Sequence, residues 1–337
     1  MKAPADQPDV MLLAEGLTKR YGEITALDDL DLTIPTGKVL GFIGHSGAGK
    51  TTTIRILAGL LKPTAGRAVV AGVELTGDSD RLKQRVGYMP DEFGVYDQMR
   101  VWEYLDFFGA AFRIGRRRRR PRIDEVLEIT AAAYLRDRFV DTLSKGMKQK
   151  VGIARTLMHD PQLLLLDEPA NGLDPRARIE MRQLLRDLAD RGKTLLVSSH
   201  ILPELASVCD RVGIIHKGHL QAAGTLAEVL GSLRRDRLME LKTVGDVADV
   251  AAALAADGPV SDIDTQNAAQ GIVRYRFSGD DTAHAGLLAG LIDAGVRIAT
   301  CREVPLSLED AFMALSGISD ADDDDPPRAD ESEGDKP

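Results

Sequence analysis

A glycine-rich stretch between two apolar segments restricts the fold of this chain more than any other feature. The stretch reads GHSGAGKTT at residues 44–52, with GKVLGFI before it and IRILAGLL shortly after it. The short apolar run predicts a buried strand, and the apolar spacing that follows predicts a helix. Glycines let backbone N–H groups point at a bound anion, and the helix dipole adds about half a positive charge. The sequence therefore predicts a phosphate-binding loop between a strand and a helix.

The residues of this loop fit the nucleotide-binding spacing G-x-x-x-x-G-K-[ST]. We expect Lys50 to reach the β- and γ-phosphates and the Thr51 hydroxyl to ligate Mg²⁺, with Thr52 adding a phosphate contact. His45 takes a variable position of the pattern, so its side chain is expected to be a bystander. The predicted nucleotide-binding residues of the loop are Gly44, His45, Ser46, Gly47, Ala48, Gly49, Lys50, Thr51 and Thr52.

A run of four leucines further along the chain ends in two acidic residues. The sequence QLLLLDEP places Asp167 and Glu168 directly after a predicted strand, at the end where α/β sheets bind their ligands. We expect Asp167 to hold the Mg²⁺ shell and Glu168 to act as the general base that polarises the attacking water. An exposed acidic loop is the alternative, and the phosphate loop upstream makes it the weaker interpretation.

Apolar runs without alternation recur between helix-like segments, as in QLLLLDEP, KTLLVSSH and RVGIIHKG. Such runs are typical of parallel strands that are covered on both faces. Residues 10 to about 34 alternate in polarity, as half-exposed strands do. We therefore predict an α/β domain of the P-loop NTPase class over residues 1–235, with a helical subdomain at about 91–161.

A second unit is predicted from residue 236 onwards. The strand-like and helix-like segments of residues 236–317 follow the order βαββαβ and end in a short helix, SLEDAFMAL. This order indicates a small α+β domain of the ferredoxin-like type. Residues 318–337 contain nine acidic and two basic residues and few large apolar ones, so we predict a disordered acidic tail.

The distribution of charge argues against a nucleic-acid partner. The chain carries a net charge of −9, of which residues 318–337 contribute −7, so the remainder is near neutral and has no basic field. The run RRRRRPR at 116–122 allows nucleic-acid binding or solvated charge between two helices. The second interpretation is preferred, because no aromatic residues are interleaved. Cys209 and Cys301 are too few for a disulfide framework and are expected to be reduced.

A second stretch suited to a phosphate reads LSKGMKQKVGIARTL at residues 143–157. The order of GHSGAGKTT, LSKGM, LLLLDEP, NGLD and SSH within residues 10–230 resembles that of an ABC transporter ATPase subunit. The predicted C-terminal unit resembles the extension found in export-type (ABC-2) members of that family. The resemblance implies that the chain binds ATP and Mg²⁺ and hydrolyses ATP.

In that family two ATPase domains dimerise head to tail and sandwich ATP between them. LSKGM resembles the signature motif, which closes over the γ-phosphate of the ATP held by the partner. The resemblance thus implies that Ser144, Lys145 and Gly146 contact the nucleotide of a second copy. Lys145 and Met147 replace the usual glycine and glutamine of the motif, but Ser144 and Gly146 are kept, so the phosphate contact is expected to survive.

The resemblance implies roles for four further residues. Tyr21 matches the aromatic platform that stacks on adenine, and His200 matches the switch histidine that contacts the γ-phosphate. Asp174, in NGLD, matches the loop that communicates between the two sites. Asp91 stands where the family often has glutamine, and its carboxylate is expected to coordinate Mg²⁺ or the water bound to it.

Partners and location follow from the same resemblance. It implies a homodimer with two composite sites and a separately encoded polytopic permease, through which cargo is exported. The sequence has no signal-peptide core and no run of about 20 apolar residues, so we expect a cytoplasmic protein on the inner face of the cell membrane. Phe93, Tyr96 and Trp102 are expected to help line a groove for a helix of the permease; plain packing is the alternative.

Other classes of protein share parts of the pattern. The alternative for the function is a soluble ABC-type ATPase without a permease, acting on a macromolecular complex. Such proteins usually carry two ATPase domains in one chain, a long coiled-coil insertion or zinc-binding cysteines. A P-loop kinase or GTPase would leave LSKGM and His200 without a role, and a GTPase would also need an N-K-x-D motif, which the sequence lacks.

Overall fold

Within the residues that the structure describes, the chain forms three sheets and the helices that cover them. The computed structural model describes residues 9–75, 79–94, 96, 98–201, 205, 207–232, 237–245, 247–255 and 259–304. The predicted helix SLEDAFMAL and the predicted acidic tail lie outside these residues. The strands are β1 (Val10–Tyr21), β2 (Ile24–Pro35), β3 (Val39–Ile43), β4 (Ala65–Val70), β5 (Val73–Glu74), β6 (Val86–Met89), β7 (Leu163–Leu166), β8 (Thr194–Ser199), β9 (Arg211–His216), β10 (His219–Gly224), β11 (Arg237–Thr243), β12 (Val260–Asp264), β13 (Ile272–Phe277) and β14 (Ile298–Glu303).

Helices connect most of these strands. They are α1 (Lys50–Leu57), α2 (Ser79–Arg85), α3 (Val101–Ala111), α4 (Arg116–Ile129), α5 (Lys145–Leu157), α6 (Pro175–Asp190), α7 (Leu226–Ser232), α8 (Val247–Ala255) and α9 (Asp281–Asp293). In the described part of the chain, no helix combines the length and the apolar character that crossing a bilayer requires.

A six-stranded sheet positions the glycine loop and the acidic residues. Its order is β10-β9-β3-β8-β7-β6, and every pair is parallel except the β9–β10 hairpin at one edge. Leu163 and Leu165 of β7 pack in one apolar core, whereas Leu164 and Leu166 pack in another. The sheet is therefore covered on both faces, which confirms the prediction from the non-alternating runs. Strand β6, with the sequence VGYM, is not predicted by the sequence pattern.

The remaining N-terminal strands form an antiparallel sheet in the order β2-β1-β4-β5. Strand β2 buries alternate residues, among them Leu30, Leu32 and Ile34, as its sequence pattern predicts. These side chains join the core that contains Phe42 of β3 and Ile54 of α1. The antiparallel sheet and α1 thus share the core on one side of the parallel sheet.

Helices α3, α4 and α5 share the other core. Tyr104 of α3, Val126 of α4 and Val151 of α5 are fully buried there, together with Leu164 of β7. Helix α5 begins where the Ser144 side chain accepts a hydrogen bond from the backbone N–H of Met147 at 3.4 Å, as an N-cap residue does. The predicted helical segment is therefore packed directly against the central sheet.

The C-terminal strands form a separate antiparallel sheet in the order β12-β13-β11-β14. With α8 and α9 between the strands, the chain order is βαββαβ, which is the ferredoxin-like order that the sequence predicts. Leu241, Tyr275 and Phe277 of the sheet pack with Leu254 of α8 and Leu291 of α9. The predicted boundary at residue 235 falls between α7 and β11, and the division into domains stays a prediction.

Two glycines within helices differ in whether they could accept a side chain. A Cβ on Gly152 of α5 would lie 2.6 Å from two ring atoms of Phe93, whereas a Cβ on Gly286 of α9 would meet nothing within 4 Å. We predict that Gly286→Ala stabilises the protein by about 0.5–1 kcal/mol, because alanine is the better helix former. Gly152→Ala should destabilise it by about 1–3 kcal/mol, because the core there is already filled.

Urea unfolding of the two variants and the parent protein measures both effects. Equal stabilisation by the two substitutions would contradict the proposed contact between α5 and Phe93.

Candidate functional site

The glycine loop lies between β3 and α1 and is pressed against neighbouring strands. Gly49 has φ +108°, and a Cβ there would lie 2.7 Å from the carbonyl oxygen of Ala26. A Cβ on Gly44 would lie 2.6 Å from the carbonyl oxygen of Ile215. Only glycine fits both positions, so the loop has space for a ligand on its open side alone.

A cavity of about 570 Å³ opens at this loop. It collects residues from the ends of three parallel strands, since Asp91 follows β6, Glu168 follows β7 and His200 follows β8. The carboxyl ends of parallel strands are where sheets of this class bind ligands. The lining residues are Ala26, His45, Ser46, Gly47, Gly49, Lys50, Thr51, Thr52, Asp91, Glu168, Asn171 and His200.

Lys50 is buried at the floor of this cavity. Its Nζ donates to the carbonyl oxygens of Gly44 at 2.5 Å and His45 at 3.1 Å. It also lies 3.4 Å from Oε1 of Glu168, as an ion pair. The ammonium group therefore has a fixed position between two carbonyl oxygens and the Glu168 carboxylate.

Glu168 is the most constrained acidic residue of the cavity. Its second oxygen, Oε2, accepts a hydrogen bond from Nδ1 of His200 at 2.8 Å. Its backbone N–H donates to the Ser198 hydroxyl at 2.9 Å, and its φ of +49° lies in the left-handed region. A left-handed non-glycine residue costs about 1–3 kcal/mol and is commonly found at functional sites.

Asp167 lies beneath the cavity and does not line it. The residue is 2% exposed, and its carboxylate accepts a hydrogen bond from the Ser198 hydroxyl at 2.6 Å. Ser198 thus holds both acidic residues, although the sequence pattern assigned no role to it. Tyr88 of β6 lies nearby, and burial raises the pKa of its phenol, with the negative charge of Asp167 adding to the effect.

Asn171 lines the cavity and is a second residue to which the sequence pattern assigned no role. Its Nδ2 donates to both carboxylate oxygens of Asp91, at 3.2 Å each. The signal was present in the sequence, because Asn171 opens the NGLD segment that ends in Asp174. This hydrogen bond ties the segment after β7 to the segment after β6.

Thr51, Asp91 and Asp167 are oxygen donors, which is the ligand type that Mg²⁺ prefers. Among the described residues, no group of three or more His, Cys, Asp or Glu side chains is arranged to hold a metal by itself. Mg²⁺ usually takes one or two protein carboxylates and completes its shell with phosphates and waters. The donor set therefore fits Mg²⁺ held jointly with a nucleotide.

The start of α5 lines a different depression, of about 240 Å³. Ser144, Gly146 and Asp174 contribute to it, and no residue of the 44–52 loop does. Asp174 also caps α6, because its Oδ1 accepts a hydrogen bond from the N–H of Ala177 at 2.9 Å. Within one chain, the two stretches suited to phosphate therefore line separate surfaces.

Four predicted nucleotide contacts lie outside both cavities. Lys145 runs along its own chain, with Nζ 2.5 Å from where a Cβ of Gly172 would lie. Tyr21 lies at the end of β1, half exposed, with Nζ of Lys19 at 5.0 Å from its ring centre. Of the loop residues, Gly44 and Ala48 are also absent from the lining, although the Gly44 carbonyl holds Lys50. The roles of these residues stay predictions.

The central sheet, the glycine loop and the acidic residues after β7 define a P-loop NTPase of the ATP-binding cassette class. The profile of the ABC transporter family matches residues 27–171. The chain is 32% identical over 310 residues to the daunorubicin resistance ATP-binding protein DrrA3 of Streptomyces coeruleorubidus, covering 92% of this chain and 96% of that protein. The chain belongs to the family of ABC transporter ATP-binding proteins.

Other similarities cover parts of the proteins compared. The bacitracin transport ATP-binding protein BcrA of Bacillus licheniformis is 43% identical over 60% of this chain and 66% of its own length. An uncharacterised ABC transporter ATP-binding protein of Synechocystis sp. is 39% identical over 62% of this chain, and the chain spans 59% of its length. A dimeric cassette solved in a post-hydrolysis state with ADP and phosphate has a TM-score of 0.58 and 27% identity, covering 64% of this chain and 99% of that one.

We predict that Ser198→Ala removes the hydroxyl that holds Asp167 and Glu168 in position. The variant loses one hydrogen bond to Asp167 and one from Glu168, so we expect a stability loss of about 1–3 kcal/mol and at least a tenfold lower ATP turnover per folded protein. The measurements are urea unfolding and phosphate release.

Thr194→Val is the matched control, because it removes a buried hydroxyl at the other end of β8 that accepts from Gly37. The control should lose stability and keep its turnover. Equal turnover in both variants would mean that Ser198 supports the fold alone.

Proposed function

We propose that this chain is the Mg²⁺-dependent ATPase subunit of an exporter, and that ATP binding drives two copies together to power a separate membrane permease. One observation carries the proposal: the glycine loop and the start of α5 line different cavities of the same chain. A phosphate held by the loop therefore has an open side, and a second copy can supply the helix start that covers it.

Lys50 and the loop provide the positive end of the site. The loop backbone and the α1 dipole attract phosphate oxygens, and Lys50 neutralises charge on the β- and γ-phosphates. The ion pair between Lys50 and Glu168 must then share the ammonium with phosphate. ATP binding therefore weakens the contact with Lys50, which is one of the two contacts that hold the Glu168 carboxylate.

Glu168 and His200 provide the chemistry at the γ-phosphate. The freed carboxylate accepts a proton from the attacking water, and the oxygen of that water forms the bond to phosphorus while the bond to ADP breaks. His200 orients Glu168 through the 2.8 Å hydrogen bond and reaches the cavity itself. Thr51, Asp91 and Asp167 would hold Mg²⁺, which would supply positive charge against the charge that develops on the phosphates.

The segment 171–174 connects the two surfaces. Asn171 lines the nucleotide cavity and bonds Asp91, while Asp174 lines the depression at the start of α5. A movement of Asn171 at one nucleotide is therefore transmitted through a short stretch of backbone to Asp174. Asp174 lies on the surface that faces the second nucleotide. This arrangement supports the communication role that the family resemblance implies for Asp174.

The names of the relatives and the fold support a permease partner and outward transport. The names of two relatives refer to daunorubicin resistance and bacitracin transport. Such a partner would place the chain on the inner face of the cell membrane, although it has no spanning helix in its described part. Tyr96 is exposed, with its ring 5.4 Å from that of Phe107, and we propose that this surface and Trp102 receive the permease.

We predict that Glu168→Gln binds ATP and traps the dimer while hydrolysis falls by about 10²–10⁴-fold, because an amide cannot accept the proton from water. Phosphate release and size-exclusion chromatography with ATP measure the two effects. Glu128→Gln, at an exposed position of α4, should change neither. Full turnover in Glu168→Gln would remove Glu168 as the base.

We predict that Ser144→Arg abolishes hydrolysis and leaves nucleotide binding intact. The arginine would block the depression at the start of α5, and the 44–52 loop would keep its own contacts to phosphate. Equilibrium binding of a fluorescent ATP analogue and phosphate release separate the two effects. Ser278→Arg, at an exposed position, controls for the added charge. Loss of binding in Ser144→Arg would show that LSKGM acts on the nucleotide of its own chain.

A further inference from the structure

Five arginines without an ion-pair partner among the described residues lie around the start of α4, three of them beside one cavity and Arg120 beside another. We call Arg113, Arg116, Arg117, Arg118 and Arg120 the arginine cluster. All five are exposed, and none has an ion-pair partner among the described residues. Their neighbours differ: Arg119 pairs with Asp106 at 2.7 Å, and Arg122 pairs with Glu125 at 2.9 Å. The cluster therefore consists of Arg113 and the four arginines of RRRRRPR whose charge no ion pair among the described residues balances.

The position of the cluster adds to this imbalance. Helix α4 has no acidic residue in its first turn, where the partial positive charge of a helix favours carboxylates. Arg113, Arg117 and Arg118 line a cavity of about 670 Å³. The two carboxylates that line this cavity, those of Glu125 and Asp160, both form ion pairs with Arg122. An anionic segment that entered the cavity would relieve the repulsion among the arginines and complement the helix start.

We propose that the acidic stretch of residues 320–335 docks on the arginine cluster. This stretch contains nine acidic residues, four of them consecutive at Asp322, Asp323, Asp324 and Asp325. Carboxylates pair with arginine through two parallel hydrogen bonds. The stretch carries most of the net charge of the chain, and the cluster is a surface of complementary charge on the part of the chain that the structure describes.

The connecting chain is long enough for this contact. From Val304 to Asp322 it has 18 residues, which reach about 60 Å when extended. A compact chain of this size is about 50 Å across, so the stretch can reach the cluster of its own chain. Tethering also gives a local concentration in the millimolar range. Several weak, salt-sensitive ion pairs are therefore sufficient for occupancy.

Zero-length crosslinking in the full-length protein tests the contact directly. Arg117→Lys keeps the charge and adds an amine, which a carbodiimide joins to any carboxylate that touches it. We expect a crosslinked peptide between residue 117 and residues 320–335, at about tenfold higher yield than from Arg191→Lys, an exposed position at the end of α6. The yield should fall in about 1 M salt and when Asp322, Asp323, Asp324 and Asp325 are replaced by asparagine.

Mixing ¹⁵N-labelled and unlabelled protein shows whether the crosslink forms within one chain, as proposed. Crosslinks only between labelled and unlabelled chains would overturn docking within one chain. Equal yields from residues 117 and 191, or a yield that the asparagine substitutions leave unchanged, would overturn the proposal altogether.

Vesicles of phosphatidylserine and phosphatidylcholine in equal parts test the rival occupant, an anionic membrane surface. Neutralising the four aspartates should raise vesicle binding by about tenfold, because it frees the cluster, and the further change Arg117→Glu with Arg118→Glu should abolish the gain. Strong binding of the parent protein through the arginines, unaffected by the asparagine substitutions, would assign the cluster to lipid instead. Neither result depends on ATP hydrolysis, so these experiments test the docking proposal independently of the proposed function.

Discussion

The carboxylate of Glu168 divides its two oxygens between the ammonium of Lys50 and the imidazole of His200, and this contact ties together the ends of three strands. Lys50 follows β3, Glu168 follows β7 and His200 follows β8. Removing a charge from water is costly unless a partner and hydrogen bonds compensate. Both groups have such compensation, since Lys50 also bonds two carbonyls and Glu168 also bonds His200.

The ion pair between Lys50 and Glu168 is costly to bury, and its position in the cavity explains why it can still be useful. A pair buried only for stability could often be replaced by apolar residues without loss. Here, under the proposed function, the pair keeps a base and a phosphate ligand in position before the nucleotide arrives. The left-handed backbone of Glu168 stores additional strain, which the hydrogen bond to Ser198 offsets in part. Backbone strain of this kind is expected at a site that is pre-organised for its ligand.

The sequence reveals the elements whose physics is local. The glycine loop, the strand that precedes Asp167 and the βαββαβ order all follow from periodicity and turn residues. Asp91, Glu168 and His200 meet in one cavity because the parallel strands end on one side of the sheet. Strand β6 was not predictable, because VGYM is short and contains Gly87. That glycine is explained by packing: a Cβ there would lie 2.7 Å from Thr156. Such a contact joins residues that are distant in the sequence.

Side-chain direction is the other limit of what could be predicted. Spacing placed Lys145 beside Ser144, but it could not show that the lysine runs along Gly172. It could not assign Ser198 either, because that residue matters through a hydrogen bond to Asp167 at the end of another strand. Predictions from sequence are strongest for backbone geometry and weakest for the contacts that orient the predicted residues.

Helix α5 is the structural element that relates the two nucleotide surfaces. It runs from the cap at Ser144 for 13 residues, about 20 Å at the normal rise of a helix. Near its far end the guanidinium of Arg155 lies 4.7 Å from the ring centre of Phe93 and donates to the Tyr104 hydroxyl at 3.1 Å. Phe93 is two residues from Asp91. A helix moves as a rigid body, so under the proposed function a force on Ser144 from the partner's phosphate reaches the segment that carries Asp91. The filled contact at Gly152 leaves that segment little freedom to move independently of α5.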